Sequence, residues 1–331
     1  MRERDYYLGV DLGGTNIKAI AMNYAGVALI EENIPSETEN GPSAVIDRMV
    51  SLINGLIRDD SLTGYTLSAI GIAAAGVVDM EKGVCRWLPN LPGWMGMPLV
   101  SKITERIDRP TFLINDVRAM TLAEKTFGAG KGVKNLLCLA VGTGIGGGII
   151  IDDKLYFGSE GFAGELGHQV VEVSGPDCTC RNYGCLEALA SGSNIAFQAM
   201  RIVKQGATTL IRDLVDNDLN QITPQIVAEA ARQGDIHAKE IWEREAFYLG
   251  TGIANLVLIF NPEMIILGGG VAEAFDLLIG GIRKTLKRRI HLGPDLKRLR
   301  IVRSKLKGLS GAVGAATWAM IRWREMSATN R

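Results

Sequence analysis

Cys178, Cys180 and Cys185 stand at C-x-C-x4-C spacing, and His168 lies ten residues upstream. Thiolate and imidazole donors suit zinc, and three Cys with one His fill its tetrahedral shell. A filled shell leaves no position for activated water, so a metal here is structural and a metal-dependent hydrolase is disfavoured. The plain alternative is buried thiols beside a core histidine. Three cysteines within eight residues, in a chain with five, argue against it. Two acids run through the same stretch: Glu165, in Gly-x-x-Gly-Glu-Leu-Gly-His, and Glu187, two residues after the last cysteine. With the metal shell closed, both are free for a substrate. Solvated surface acids would look the same, but glycine and apolar residues surround both.

Three other segments carry chemistry. In Asp11-Leu-Gly13-Gly14-Thr15 the glycines suit a turn of positive φ, and their N–H groups can approach phosphate oxygens. Thr15 adds a hydroxyl donor, and Asp11 offers a hard oxygen to Mg²⁺, directly or through water. Taken alone, the same residues fit an ordinary hairpin turn. Residues 142–148 contain G-x-G-x-G-G, starting Gly142-Thr143-Gly144. A dinucleotide fingerprint must open a helix, whereas Ile149, Ile150 and Ile151 are strand-like. As the partner of the first loop, this one becomes a second phosphate clamp. Gly269 and Gly270 follow a buried strand, fitting either a backbone that passes an adenine ring or a plain strand-to-helix turn. Asn115-Asp116 ends another buried strand and opens a helix. A carboxylate at that edge can take a proton from a hydroxyl nucleophile, and an N-cap is the even alternative.

The elements that position these residues alternate between strand and helix, the pattern of an α/β protein. Strands are expected at 6–11, 17–23, 68–73, 111–114, 135–141, 149–151 and 264–267. Helices are expected at 42–58, from 116 to about 127, at 225–233, 238–260 and 311–325. The segment from Leu8 to Thr15 resembles that from Leu137 to Gly144, which suggests two duplicated halves. Lys+Arg and Asp+Glu both number 36, so no global charge points to nucleic acid or membrane. Apolar residues make up 47%, the level of a globular protein, and no apolar run approaches a membrane span. A charged start and isolated Cys85 and Cys138 point to a reducing cytoplasm.

Together these segments resemble the ROK family (repressors, uncharacterised reading frames and sugar kinases), within the actin/hexokinase/chaperone ATPase superfamily, from about Tyr7 to Ala316. The resemblance implies a two-domain actin-like ATPase (ribonuclease H-like) fold with an interdomain cleft and a zinc-binding loop. The expected domains are 1–115 plus 311–331, and 116–310. It implies an ATP-dependent hexose kinase, with Mg²⁺ and structural Zn²⁺, that phosphorylates the 6-hydroxyl of glucose or, alternatively, of an N-acetylhexosamine. Asp116 would be the general base. Asn115, Glu165, His168 and Glu187 would bind ring hydroxyls, with Gly76 and Asn90 on the sugar side. His168 would give its other nitrogen to zinc. Asp11, Gly13, Gly14, Thr15, Gly142, Thr143, Gly144, Gly269 and Gly270 would hold the nucleotide. A homo-oligomer, dimer or tetramer, is expected by analogy.

Family repressors carry a DNA-binding domain before the first phosphate loop. Asp11 lies near residue 1, so a regulator without that domain is the weaker reading, and a silent sugar-binding protein conflicts with the retained Asp116 and glycine loops. Two residues depart from the family pattern. Arg181 replaces the glycine after the second cysteine, and Val117-Arg118-Ala119 replaces Ala-Asn-Ala. Arg118 would either reshape the sugar pocket or pair with an acid there.

Overall fold

The fold is described from a computed structural model, for residues 4–88 and 91–329. In chain order the strands are β1 (Asp5–Leu12), β2 (Asn16–Asn23), β3 (Ala28–Pro35), β4 (Thr66–Ala74), β5 (Val77–Asp79), β6 (Val84–Trp87) and β7 (Thr111–Asn115). They continue with β8 (Leu136–Val141), β9 (Ile145–Ile151), β10 (Lys154–Leu155), β11 (Met264–Gly268) and β12 (Arg300–Arg303). The helices are α1 (Gly41–Ile57), α2 (Leu99–Thr104), α3 (Asp116–Thr126), α4 (Leu186–Ala190) and α5 (Gly192–Lys204). After them come α6 (Leu210–Asp213), α7 (Pro224–Arg232), α8 (Ile236–Phe260), α9 (Phe275–Arg289) and α10 (Ser310–Thr329).

The chain divides into two compact units: Met1–Gly132 with Phe157–Gly161 and Lys305–Arg331, and Val133–Tyr156 with Phe162–Ser304. The division falls after residue 132 and before 305, where 115/116 and 310/311 were expected. Helix α3 stays in the first unit because it packs on α10 so closely that a Cβ at Gly314 would lie 1.8 Å from the carbonyl oxygen of Ala119.

The first unit is built on the sheet β3-β2-β1-β4-β7, with β1–β2 and β2–β3 antiparallel and β1–β4 and β4–β7 parallel. Helix α1 turns Val45, Ile46, Met49, Ile53 and Leu56 toward the core at helical spacing, with a proline in its first turn. On the other side lies α10, rich in alanine and glycine. A Cβ at Gly9 would sit 1.9 Å from Ala312 O, and one at Gly71 would sit 1.9 Å from Ala315 O. These mid-strand glycines let a helix backbone lie directly on the sheet.

The second unit repeats the plan in the order β10-β9-β8-β11-β12, again two antiparallel pairings followed by two parallel ones. The expectation that a glycine loop runs to residue 148 is corrected. Strand β9 starts at Ile145, and Gly146, Gly147 and Gly148 pair with Ala140, Leu139 and Cys138. Gly147 is glycine because a Cβ there would meet Leu166 Cγ at 2.4 Å and Gly164 O at 2.5 Å. Helix α8 tolerates its internal glycines for the same kind of reason, with Thr285 against Gly250 and Leu186 against Gly252. Among the described residues, no helix is long and apolar enough to cross a membrane.

Candidate active and metal sites

In the first unit the β1–β2 hairpin closes through Gly13, Gly14 and Thr15. Gly13 N–H donates to Asn16 O at 3.0 Å, and Thr15 O accepts from Ser36 N–H at 2.9 Å. Ser36 Oγ donates to Gly13 O at 2.6 Å. Neither Gly13 nor Gly14 takes a positive φ. The premise of a left-handed turn is therefore corrected. Gly13 is required by close approach, since a Cβ would lie 2.9 Å from Asn16 O.

Asp11 is the penultimate residue of β1, and its carboxylate rests on the start of α10, where a Cβ at Gly311 would meet Oδ2 at 2.3 Å. Burial, then the charge of Asp116, raise its pKa to about 7, against a smaller opposing effect of Lys18. A carboxylate held above its ordinary pKa is a hard-oxygen donor whose ionised form a divalent cation would favour, so Mg²⁺ fits Asp11.

Asn115 caps α3 and also bonds its neighbour Asp116. Its Oδ1 caps α3, accepting from the N–H groups of Val117 at 3.0 Å and Arg118 at 3.1 Å. Its Nδ2 donates to Gly76 O at 3.1 Å and to Asp116 Oδ1 at 2.9 Å. One amide thereby joins Gly76, which sits at φ 114°, to the carboxylate of Asp116. Arg118 is buried, with its guanidinium 5.9 Å from the Phe157 ring centroid. Phe157 in turn tilts against Trp318. Asn90 lies outside the described residues.

Glu124 was missed by sequence reasoning. It is fully buried near the end of α3 and accepts N–H groups of Ala129 at 2.8 Å, Lys305 at 2.9 Å and Leu306 at 2.8 Å. It ties the helix that begins at Asp116 to the segment that leads into α10. A lone acid on a helix gives no signal of such a role.

In the second unit the β8–β9 turn is Gly142-Thr143-Gly144, with Gly142 N–H on Gly144 O at 2.8 Å. The start of α5 backs it: Gly192 N–H donates to Gly142 O at 2.7 Å, and Ser193 Oγ donates to Thr143 O at 2.8 Å. Gly269 takes φ 81° and passes so close to β8 that a Cβ would lie 2.3 Å from Val141 O. Gln225, at the start of α7, flanks Gly270. Ser193 and Gln225 were not anticipated. The capping signals Ser191-Gly192 and Thr223-Pro224 were the available clue.

Glu165 and His168 bracket one short turn, with His168 N–H on Glu165 O at 3.1 Å. The donor atoms of His168, Cys178, Cys180 and Cys185 all lie within 4.8 Å of one another. His168 Nδ1 to Cys178 Sγ is 3.7 Å, and Cys180 Sγ to Cys185 Sγ is 3.8 Å. A zinc tetrahedron with its usual bond lengths has edges of about 3.6 Å (N to S) and about 3.8 Å (S to S). The four residues therefore fit zinc. Since His168 turns Nδ1 inward, Nε2 remains for another partner. Arg181 sits at φ 72°, a left-handed conformation in which glycine is at ease, so its departure from the family pattern is carried with backbone strain.

Glu187 has partners within the protein that the sequence did not point to. Its Oε2 accepts Ile145 N–H at 2.8 Å, and its Oε1 accepts Thr179 Oγ1–H at 3.0 Å. A Cβ at Gly144 would lie 2.3 Å from Oε2.

Two sheets of one order, each ending a hairpin in a glycine turn, define an actin-like ATPase fold, here with a Cys₃His loop in the second unit. The chain belongs to the ROK family, whose sequence model matches residues 7–322. It is 36% identical to a glucokinase of Thermotoga maritima, over 94% of this chain and 96% of that one. It is 33% identical to a xylose repressor of Caldicellulosiruptor bescii, over 93% of this chain and 76% of the repressor. Among solved structures it resembles a ROK family glucokinase from Streptomyces griseus in complex with glucose and AMPPNP. That match has a TM-score of 0.81 and 33% identity, and covers 96% of this chain and 99% of that one.

Proposed function

We propose that this chain is an ATP-dependent glucokinase that makes glucose 6-phosphate. The observation that carries the reading is the Asn115 amide, which holds Asp116 Oδ1 at 2.9 Å at the carboxyl end of β7. That is where an α/β sheet presents groups to a ligand. Glucokinase relatives over nearly the whole chain support glucose as the sugar.

Asp116 receives the proton of the 6-hydroxyl as that oxygen bonds to the γ-phosphorus. The bond from phosphorus to the β,γ-bridging oxygen breaks, and ADP leaves with the electron pair. The N–H groups around Gly13, Gly14, Thr15, Gly142, Thr143 and Gly144 cradle phosphate oxygens, and Gly269 and Gly270 border the base. Asn115, Gly76, Asn90, Glu165, His168 and Glu187 hold the sugar. Mg²⁺ at Asp11, directly or through water, would neutralise phosphate charge, and zinc would hold the 168–185 loop in shape. Free thiols suit a cytoplasmic home, and self-association belongs to the same proposal.

The test is ADP release across glucose, mannose, N-acetylglucosamine and N-acetylmannosamine with ATP and Mg²⁺. Glucose should give the highest kcat/KM; preference for an N-acetylhexosamine would overturn the sugar, and no turnover with any of them would overturn the kinase. Asp116→Asn should lower kcat about 10²–10⁴-fold while sugar still binds. Near-normal kcat would remove Asp116 as the base.

A further inference from the structure

Glu187 joins two parts of the second unit that have no reason to meet if its work ends at a sugar hydroxyl. One oxygen accepts the N–H of Ile145, the first residue after the glycine turn, at 2.8 Å. The other accepts the hydroxyl of Thr179 at 3.0 Å and lies 3.6 Å from Cys178 Sγ. Thr179 stands between two of the four residues that fit zinc, and Cys185 precedes the short helix that carries Glu187. Gly144 leaves the space this carboxylate occupies, since a Cβ there would collide with it at 2.3 Å. The carboxylate is thus held on one side by the metal loop and on the other by the phosphate-binding turn.

We infer that Glu187 is a positioning residue through which the filled Cys₃His site fixes the Gly142-Thr143-Gly144 turn, so that metal occupancy sets nucleotide affinity even when no sugar is bound. The inference rests on the kinase reading for the ligand of that turn. The mechanical link itself can be read without any ligand. A loop pinned by four metal bonds presents Thr179 in one place, Thr179 orients the Glu187 carboxylate, and Glu187 holds the amide of Ile145. Loss of the metal frees the loop, and the turn loses an anchor outside its own hairpin. A charge-assisted hydrogen bond of this kind is strong enough for its loss to matter.

Two measurements test it on the full-length protein. Hydrogen–deuterium exchange over residues 142–146 should quicken about tenfold or more when zinc is removed by a zinc-selective chelator, and zinc added back should reverse the change. Glu187→Ala should show fast exchange with or without zinc, whereas Glu187→Gln, which can still accept from Ile145, should restore most of the protection. Thr179→Val, which keeps all four metal donors, should fall between. Calorimetric titration with AMPPNP and Mg²⁺, without sugar, should show about tenfold weaker binding in zinc-free protein. Glu187→Ala should be equally weakened and no longer respond to zinc. Unchanged exchange at 142–146 on zinc removal, or the same zinc response in Glu187→Ala as in wild type, overturns the inference. Wild-type protein that binds no nucleotide in the presence of zinc overturns the kinase reading and the nucleotide half of the inference, while the exchange result still decides the link.

Discussion

Replacing Asp11 by asparagine should stabilise the magnesium-free protein at pH 8 and leave it nearly unchanged at pH 4. Burial and the neighbouring charge of Asp116 raise the Asp11 pKa from 3.8 to about 7. The folded state therefore binds the proton more tightly than the unfolded chain does. The sign follows from linkage: the group's contribution is fully present below pH 3.8 and is lost as pH rises through about 7. At about 1.4 kcal/mol per pH unit, the loss amounts to at most about 4 kcal/mol. The start of α10, on which the carboxylate rests, offsets part of that, because helix N-termini favour negative charge. Asparagine cannot ionise, so the variant lacks this decline. Urea midpoints at pH 4, 5, 6, 7 and 8, in magnesium-free buffer, should show the variant's advantage opening between pH 4 and 7 and levelling above it. Saturating Mg²⁺ should shrink the gap by stabilising the wild type alone. A stability difference that is flat across pH, or that Mg²⁺ leaves untouched, would refute the reasoning.

Two further outcomes follow from backbone strain and from a buried charge. Arg181→Gly should stabilise the zinc-loaded protein by about 0.5–1 kcal/mol, the relief of a left-handed arginine less the added freedom of glycine in the unfolded chain; a lower denaturation midpoint would contradict it. Glu245 is enclosed in α8, neither of its carboxylate oxygens has a hydrogen-bond partner among the described residues, and burial pushes its pKa well above the usual range. Glu245→Leu should therefore raise stability by about 1–3 kcal/mol near pH 8. The gain should widen as pH rises above 4.5, because the folded state holds the proton that the unfolded chain gives up. A loss at pH 8, seen by thermal or urea denaturation, would show that the carboxylate has a role in the core.

The duplicated hairpins could be read from the sequence because each repeats an apolar strand, a glycine turn and a second strand. The two sheets indeed share one order. The start of β9 could not be read, since three successive glycines erase the side-chain alternation that marks a strand, and the middle one, Gly147, lets Leu166 and Gly164 approach. The cysteine spacing pointed to the four side chains that the fold gathers within 4.8 Å, because C-x-C-x4-C and one histidine suffice to close a tetrahedron. What Glu187 and Glu124 do was hidden, since their partners are backbone N–H groups far away in sequence and any residue type can supply those. Asn115 shows a different limit: the helix cap could be read from the sequence, whereas the bond from its amide to the neighbouring Asp116 carboxylate could not.

The closing helix α10 has a consequence for the order of synthesis. It covers Tyr7, Ile20, Met22 and Ala69 with Ala312, Val313, Ala316 and Met320, yet it begins at residue 310, while the main segment of its unit ends at Gly132. At about 5–20 residues per second, the ribosome needs roughly 10–35 s to bridge that interval. Throughout it the nascent first sheet has one apolar face without its helix, and the second unit can finish its own sheet before the first is sealed. Helix α10 is thus the one that commits the first unit to its fold, and the interval before it is when the nascent first unit is most exposed to chaperones and to aggregation.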